Sequence, residues 1–193
     1  MIHPTSAYSR IKIGLMVTFI SLSCVAQVHA QQWTLTKQST VGFDIKSRGL
    51  MIVRGRFNQV QSNLSFDRQA PQNSSAQFVL DIKSLSLSRP VLKQLILSED
   101  LFYADKYETA SFNSDQFIPL GHDQYNIKGA LTLRGVTKSV TLNTVLKPNL
   151  LNPDLLDVES KATVKGSDFG MKQLFGGIGN NVNIHLSGQW QAL

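Results

Sequence analysis

The feature that most constrains this chain is a two-residue alternation of apolar and polar side chains, which recurs from residue 33 to residue 190. Successive side chains of a β-strand point to opposite faces, so this period is typical of strands with one buried face. About eight such runs, separated by clusters of Gly, Pro, Asn and Asp, predict about eight strands. The cleanest run comes last and contains Val182, Ile184, Leu186, Gly188 and Trp190.

One segment departs from this period. Residues 88–102 read SRPVLKQLILSEDLF, with Pro90 near the start and apolar residues at 91, 92, 95 and 96. That spacing is helical, and proline is well tolerated in the first turn of a helix. The pattern predicts one short helix around residues 90–101 in an otherwise all-β chain.

The alternation also limits how the strands can assemble. An antiparallel sheet with one apolar face leaves that face and two edges uncovered, and closing the sheet into a barrel hides all of them. A two-sheet sandwich would satisfy the same pattern. Hairpin-like spacing between successive strands favours an all-β, eight-stranded antiparallel up-and-down barrel. The interior of such a barrel is either filled by side chains or holds one elongated ligand.

One stretch shows how the chain reverses. In GALTLRGVTKSVTLN, residues 129–143, the apolar positions are odd before Arg134 and even after Gly135. This shift predicts a tight turn between two antiparallel strands, with Gly135 at positive φ.

The N-terminus has the order of parts of a secretory signal peptide. Arg10 and Lys12 precede an apolar run over residues 13–28, and Val28-His29-Ala30 is a small-x-small cleavage pattern. The sequence therefore predicts a signal peptide over residues 1–30, cleaved after Ala30, and a periplasmic protein.

Two other interpretations of this N-terminus fit the sequence less well. A membrane anchor is disfavoured because the uninterrupted apolar portion is shorter than the roughly 20 residues of a spanning helix. A lipoprotein would use Cys24, but Ser21 stands where leucine is expected. Removing 30 of the 193 residues leaves 163, which predicts a single domain over residues 31–193. Cys24 is the chain's one cysteine, so the exported protein would have no disulfide.

Charge narrows the range of partners. Cleavage would remove Arg10 and Lys12 and leave 17 Lys and Arg residues against 13 Asp and Glu residues. Such a mild excess is compatible with transient contact with anionic membrane surfaces. No basic run with interleaved aromatics is present, so the sequence does not predict nucleic-acid binding.

Few residue patterns point to chemistry. After cleavage the remaining histidines are His122 and His185, and without cysteine a zinc site would need an unusual density of carboxylates. His185 alternates with apolar neighbours and is expected on the solvent face. No G-x-S-x-G motif occurs, and FGGIGN at 175–180 lacks nucleotide-loop spacing and leads into a strand, so it is interpreted as a turn. The sequence thus predicts a protein that is not an enzyme and needs no metal or cofactor.

Four segments, in order, resemble the YceI-like family of exported, lipocalin-like polyisoprenoid-binding proteins. Each is weak alone, and together they are fairly specific across residues 33–190. They are WTLTKQSTVGFDIKSRGLMIVRGRFNQVQSNLSFD, SEDLFYADKYETASFNS, GALTLRGVTKSVTLN, and SDFGM followed by NNVNIHLSGQW.

The resemblance implies a barrel that holds a long isoprenoid or similar lipid as carrier or reservoir. Arg134, Lys138 and Asp168 are candidates for meeting a polar head group. Two alternatives stay open: an enzyme acting on a lipid at the barrel mouth, with Asp168 and His122 as test residues, and a filled, ligand-free stress or interaction protein. The bound lipid, the recipient and the oligomeric state are left open. The candidate lining residues are Phe43, Ile45, Phe57, Phe78, Leu80, Phe112, Leu131, Leu133, Phe169 and Met171.

Overall fold

A computed structural model describes residues 31–47, 50–174, 178 and 180–193. The predicted signal peptide lies outside these residues, as does most of the FGGIGN segment. Most of the strands lie in stretches of alternating sequence. The strands of the described residues are β1 (Gln31–Leu35), β2 (Thr40–Ser47), β3 (Leu50–Phe57), β4 (Val60–Phe66), β5 (Ser75–Asp81), β6 (Leu85–Leu87), β7 (Thr109–Gly121), β8 (Gln124–Leu133), β9 (Val136–Pro148), β10 (Leu155–Lys165) and β11 (Asn181–Ala192).

These strands occupy eight positions in the wall of a barrel. β1 and β2 follow one another along β11, while β4 pairs with β1 and β3 pairs with β2. β5 and β6 share the next position, separated by a 3-10 turn at Ile82–Ser84, and pair with β4 and β3. From β7 onward each strand pairs with the next one along the chain. The order is that of an up-and-down antiparallel barrel.

Closure of the barrel depends on the pairing of β1 with β11. Trp33 lies opposite Ala192, and Leu35 lies opposite Trp190. With β1 also paired to β4, the sheet forms a ring. The predicted eight-stranded barrel is confirmed, and the sandwich alternative is wrong.

The predicted helix is present and shorter than expected. A 3-10 turn at Pro90–Leu92 leads into α1 (Lys93–Leu97). The helix ends before residue 101 because Ser98 is extended and its amide donates to the Leu95 carbonyl. We call residues 88–108 the cap segment. After α1 it buries Leu101 and Phe102 against the barrel core.

The β8–β9 connection is the predicted tight turn. Leu133 pairs with Val136, so Arg134 and Gly135 form a two-residue loop. Their φ angles are 52° and 71°. A type I′ hairpin turn needs positive φ at both central residues, so the prediction for Gly135 is confirmed and Arg134 shares the conformation.

The two ends of the barrel differ. At one end, the cap end, the cap segment meets the β8–β9 turn and residues 166–174: the Lys172 amide donates to the Asp100 carbonyl at 2.8 Å. At the other, the closed end, Arg68 pairs with Asp123 at 2.6 Å. There the rings of Phe66 and Tyr125 stand perpendicular with centroids 5.7 Å apart. These rings and Phe117 fill the closed end.

Candidate functional site

The barrel encloses an apolar cavity next to the cap end, which we call the upper chamber. Its free volume is about 90 Å³. Most of its lining comes from the inward-facing residues of the strands, with additions from the cap segment and from residues 166–171. The alternation in sequence therefore creates a continuous apolar interior surface.

Three aromatic rings cluster at the cap end of this chamber. The ring of Phe43 lies 6.0 Å from that of Phe57 and 5.6 Å from that of Phe102, centroid to centroid. Phe57 and Phe102 stand edge to face at 6.3 Å. Because Phe102 belongs to the cap segment, the cap contributes directly to the chamber.

The structure brings nine of the ten predicted lining residues into the wall of the upper chamber. The exception is Ile45, which is buried opposite Val53 and Val182 without lining the chamber. The nine are Phe43, Phe57, Phe78, Leu80, Phe112, Leu131, Leu133, Phe169 and Met171.

Several lining residues were missing from the predicted set. Most share the same inward alternation, and the alternating runs in β2, β9, β10 and β11 were a sufficient signal for them. Phe102 is different because it lies in a segment of turns, where no periodicity reports the direction of a side chain. The missed residues include Val41, Phe102, Val140, Leu142, Val164, Val182, Ile184 and Leu186.

A smaller cavity of about 20 Å³ lies beyond the upper chamber, towards the closed end. We call it the lower chamber. Leu64, Ala76 and Trp190 are among its lining residues.

A pair of buried hydroxyl groups lies beside the lower chamber. The side-chain oxygens of Thr144 on β9 and Ser160 on β10 are 2.8 Å apart, and both residues are 4% exposed. Each hydroxyl satisfies the other, as burial of polar groups requires. This pair is a local polar feature in an apolar interior.

The barrel wall is split between β9 and β10 near the cap end. Their register covers residues 143–148 and 156–161, whereas β9 starts at Val136 and β10 continues to Lys165. Val140 and Leu142, which line the upper chamber, are only half-buried along this split. A 3-10 turn at Gly166–Phe169 packs against both strands. Residues 166–171 thus cover a gap that the sheet leaves open.

The three candidate head-group residues all belong to the cap end. The Arg134 guanidinium donates to the Gly170 carbonyl, which ties the β8–β9 turn to the segment over the gap. Lys138 is exposed on β9, on the same side of the strand as Val136 and Val140. Asp168 is exposed in the 3-10 turn. Arg134 therefore already has a partner within the chain, while Lys138 and Asp168 are accessible to solvent.

A further ion pair lies at the cap end. Lys172 and Asp100 form an ion pair at 2.6 Å. The hydrogen bond from the ammonium to Asp100, and the charge of that carboxylate, raise the pKa of Lys172. This pair links the cap segment to the segment over the gap.

The described residues contain two histidines, which lie in different parts of the barrel. His122 lies in the β7–β8 turn at the closed end, and Asp168 lies at the cap end. His185 is half-buried on the outer face of β11, opposite Gly42. Burial lowers the pKa of the His185 imidazole, while the nearby carboxylate of Asp44 acts in the opposite direction. The described residues place His122 and Asp168 at opposite ends of the barrel.

The described part of the chain lacks two features, a cluster of metal-binding side chains and a membrane-spanning helix. It has no group of three or more His, Cys, Asp or Glu side chains placed to hold a metal ion. It also has no helix of the length and apolarity that a membrane crossing demands.

Comparison with solved structures places this geometry among known folds. Burkholderia cenocepacia BcnA is 22% identical, with a TM-score of 0.72 over 82% of this chain and 99% of that one. A domain from Saccharophagus degradans, described as polyisoprenoid binding and implicated in plant cell wall breakdown, has a TM-score of 0.62 at 18% identity. That comparison covers 86% of this chain and all of the other. At these identities the likeness concerns the fold.

Comparison of sequences adds relatives and a family. A UPF0312 protein of Vibrio campbellii is 33% identical over 104 residues, so the match spans 54% of this chain and about half, 55%, of that protein. A UPF0312 protein of Pseudomonas paraeruginosa is 28% identical over 173 residues, covering 86% of this chain and 90% of the other. The model of the YceI-like domain matches residues 33–190. Barrel, inward alternation and family model agree, and the chain belongs to the YceI-like domain family.

Proposed function

We propose that this protein is an exported lipid-binding protein that holds a long isoprenoid or similar apolar chain inside its barrel, as a carrier or reservoir. The observation that carries the proposal is the upper chamber, an interior space lined by inward-facing apolar side chains on all the long strands. The polyisoprenoid-binding description of the Saccharophagus degradans domain, which shares the fold, supports the same class of ligand.

Burial of the chain would supply most of the affinity. Each CH₂ group removed from water contributes about 0.8 kcal/mol. The lining contains few polar side chains, so an unbranched or methyl-branched hydrocarbon would be favoured over a polar ligand.

Loading requires lining side chains to move. The free volume of about 90 Å³ is below the roughly 300–1,000 Å³ typical of ligand pockets. Phe102 in the cap segment, and Phe169 and Met171 in the segment over the gap, belong to no strand. They are the lining groups that can shift without breaking strand pairing, so we place the lipid's route at the cap end.

The head group would stay at that end. Lys138 offers an exposed cation beside the gap, and Arg134 would add a second if it released the Gly170 carbonyl. Asp168 would disfavour an anionic group close to it. Export to the periplasm, with cleavage after Ala30, completes the proposal.

Native mass spectrometry of the full-length gene product, expressed in a Gram-negative host and purified gently from the periplasm, tests it. We expect the mass of residues 31–193 plus a retained lipid, identified after extraction. The Val140→Trp variant fills the upper chamber and should retain much less lipid. Thr141→Trp, on the exposed face of the same strand, is the matched control and should load like the wild type.

Two results would overturn the proposal. A wild-type protein that is repeatedly empty and takes up no prenyl lipid would show that the barrel is a filled scaffold. A chain of uncleaved mass, recovered outside the periplasm, would overturn the export part alone.

A further inference from the structure

Four residues line both interior chambers: Phe78, Leu142, Ser160 and Leu186. They come from β5, β9, β10 and β11, so they surround the interior from several sides at one level of the barrel. We call this ring of residues the waist. It separates the upper chamber, beside the cap end, from the lower chamber.

Phe78 is the largest side chain of the waist and is held firmly. Its ring lies 6.5 Å from that of Phe112 on the neighbouring strand and 5.5 Å from that of Trp190. The residue is 8% exposed. A side chain packed between two aromatic rings has little freedom to swing aside for a passing chain.

We propose that Phe78 limits the length of the apolar chain that the barrel accepts. The inference rests on the proposed function. A chain that enters at the cap end fills the upper chamber and meets the Phe78 ring, and its far end stops at the waist. The remaining space beyond is small, about 20 Å³, and the aromatic residues of the closed end seal it.

The waist also carries a chemical discontinuity. Ser160 belongs to it, and the partner hydroxyl of Thr144 lines the lower chamber. The upper chamber has few polar side chains, and a hydrocarbon that passed the waist would meet the hydroxyls of both Ser160 and Thr144. Steric closure by Phe78 and this change in the wall act in the same direction.

The test offers the wild type and variants an equimolar series of prenyl alcohols that differ by one isoprene unit, and native mass spectrometry reads the lengths retained. Phe78→Ala joins the two chambers, so we expect its length distribution to move to longer chains by at least one isoprene unit. Val79→Ala changes the exposed outer face of the same strand, and should keep the wild-type distribution. Phe78→Leu and Leu142→Ala open the same waist more gently, and should shift the distribution in the same direction if Phe78→Ala does not fold.

The outcomes separate this inference from the proposed function. Waist variants that bind with the wild-type distribution, or a shift equally large in Val79→Ala, would refute the role of Phe78 and leave lipid binding intact. A wild type that binds no member of the series would refute the proposed function itself.

Discussion

At the scale of single residues, the inward-facing positions differ in how they contribute to stability. Most contribute only apolar surface, and any one of them is exchangeable for a side chain of similar size. Thr144 and Ser160 are different because each hydroxyl depends on the other. Their contribution to stability is therefore a property of the pair.

Replacing one member of this pair should reveal that dependence. Thr144→Val leaves the Ser160 hydroxyl buried without its partner, so we expect the free energy of unfolding to fall by about 1–3 kcal/mol. Thr144→Val combined with Ser160→Ala removes both hydroxyls and should recover most of that loss. Urea denaturation followed by circular dichroism measures both. A double variant less stable than the single one would show that the hydroxyls have separate partners.

Within regular strands, sequence alone predicted which side faces the interior, although the candidate set left out lining residues such as Val140. Phe78, Leu131 and their neighbours were placed by parity, because strand geometry fixes the direction of a side chain. Phe102 could not be placed, because turns impose no such rule. Ile45 obeys the parity rule and is buried, but which buried residue borders free space depends on the packing of all the others.

At the scale of elements, the β8–β9 turn tests how a short connection is specified. Gly135 has positive φ, and a Cβ added there would lie 2.9 Å from the ring of Tyr107 in the cap segment. Gly121 also has positive φ, but a Cβ added there would meet nothing within 4 Å. Both glycines have positive φ, but only Gly135 has another side chain close to its α-carbon.

Substituting each glycine by alanine should separate backbone strain from the cap contact. Gly121→Ala is expected to lower the free energy of unfolding by about 1–2 kcal/mol, the usual penalty for a left-handed non-glycine residue. Gly135→Ala should lose more, because the added methyl displaces Tyr107. Thermal and urea unfolding give the difference, and Tyr107→Ala in the Gly135→Ala background should reduce it. Equal losses at the two glycines would mean that Tyr107 yields freely.

The strands and this turn were predictable because local rules determine both. The apolar positions are odd up to Phe57 and even from Val60, and this shift corresponds to the break between β3 and β4 at residues 58–59. The gap between β9 and β10 was not predictable. β10 keeps its alternation through the split, and β9 interrupts its alternation only at Lys138. The residues that cover the split, 166–171, take no part in the strand pattern.

At the scale of the whole molecule, the alternating pattern by itself did not decide between a closed barrel and a two-sheet sandwich. Closure depends on pairing Trp33 with Ala192 across almost the whole described chain, and alternation carries no information on which strand meets which. Family resemblance supplied what periodicity could not. The volume of the interior also lay beyond prediction, because it is the small difference between the space the wall encloses and the side chains that fill it.

Because its interior is not filled, the empty protein should be sensitive to unfolding by pressure. Hydrostatic pressure favours unfolding in proportion to the internal void that unfolding eliminates, and this barrel holds voids of about 90 and 20 Å³. We expect pressure to unfold the empty barrel at a lower midpoint than the lipid-loaded one, with empty Val140→Trp in between. The fluorescence of the buried Trp33 and Trp190 reports the transition in the empty and loaded wild type, and circular dichroism under pressure reports it for the tryptophan variant. Identical midpoints would mean that lipid leaves the voids unfilled. A higher midpoint for the loaded protein would make compression a measure of whether the interior is occupied.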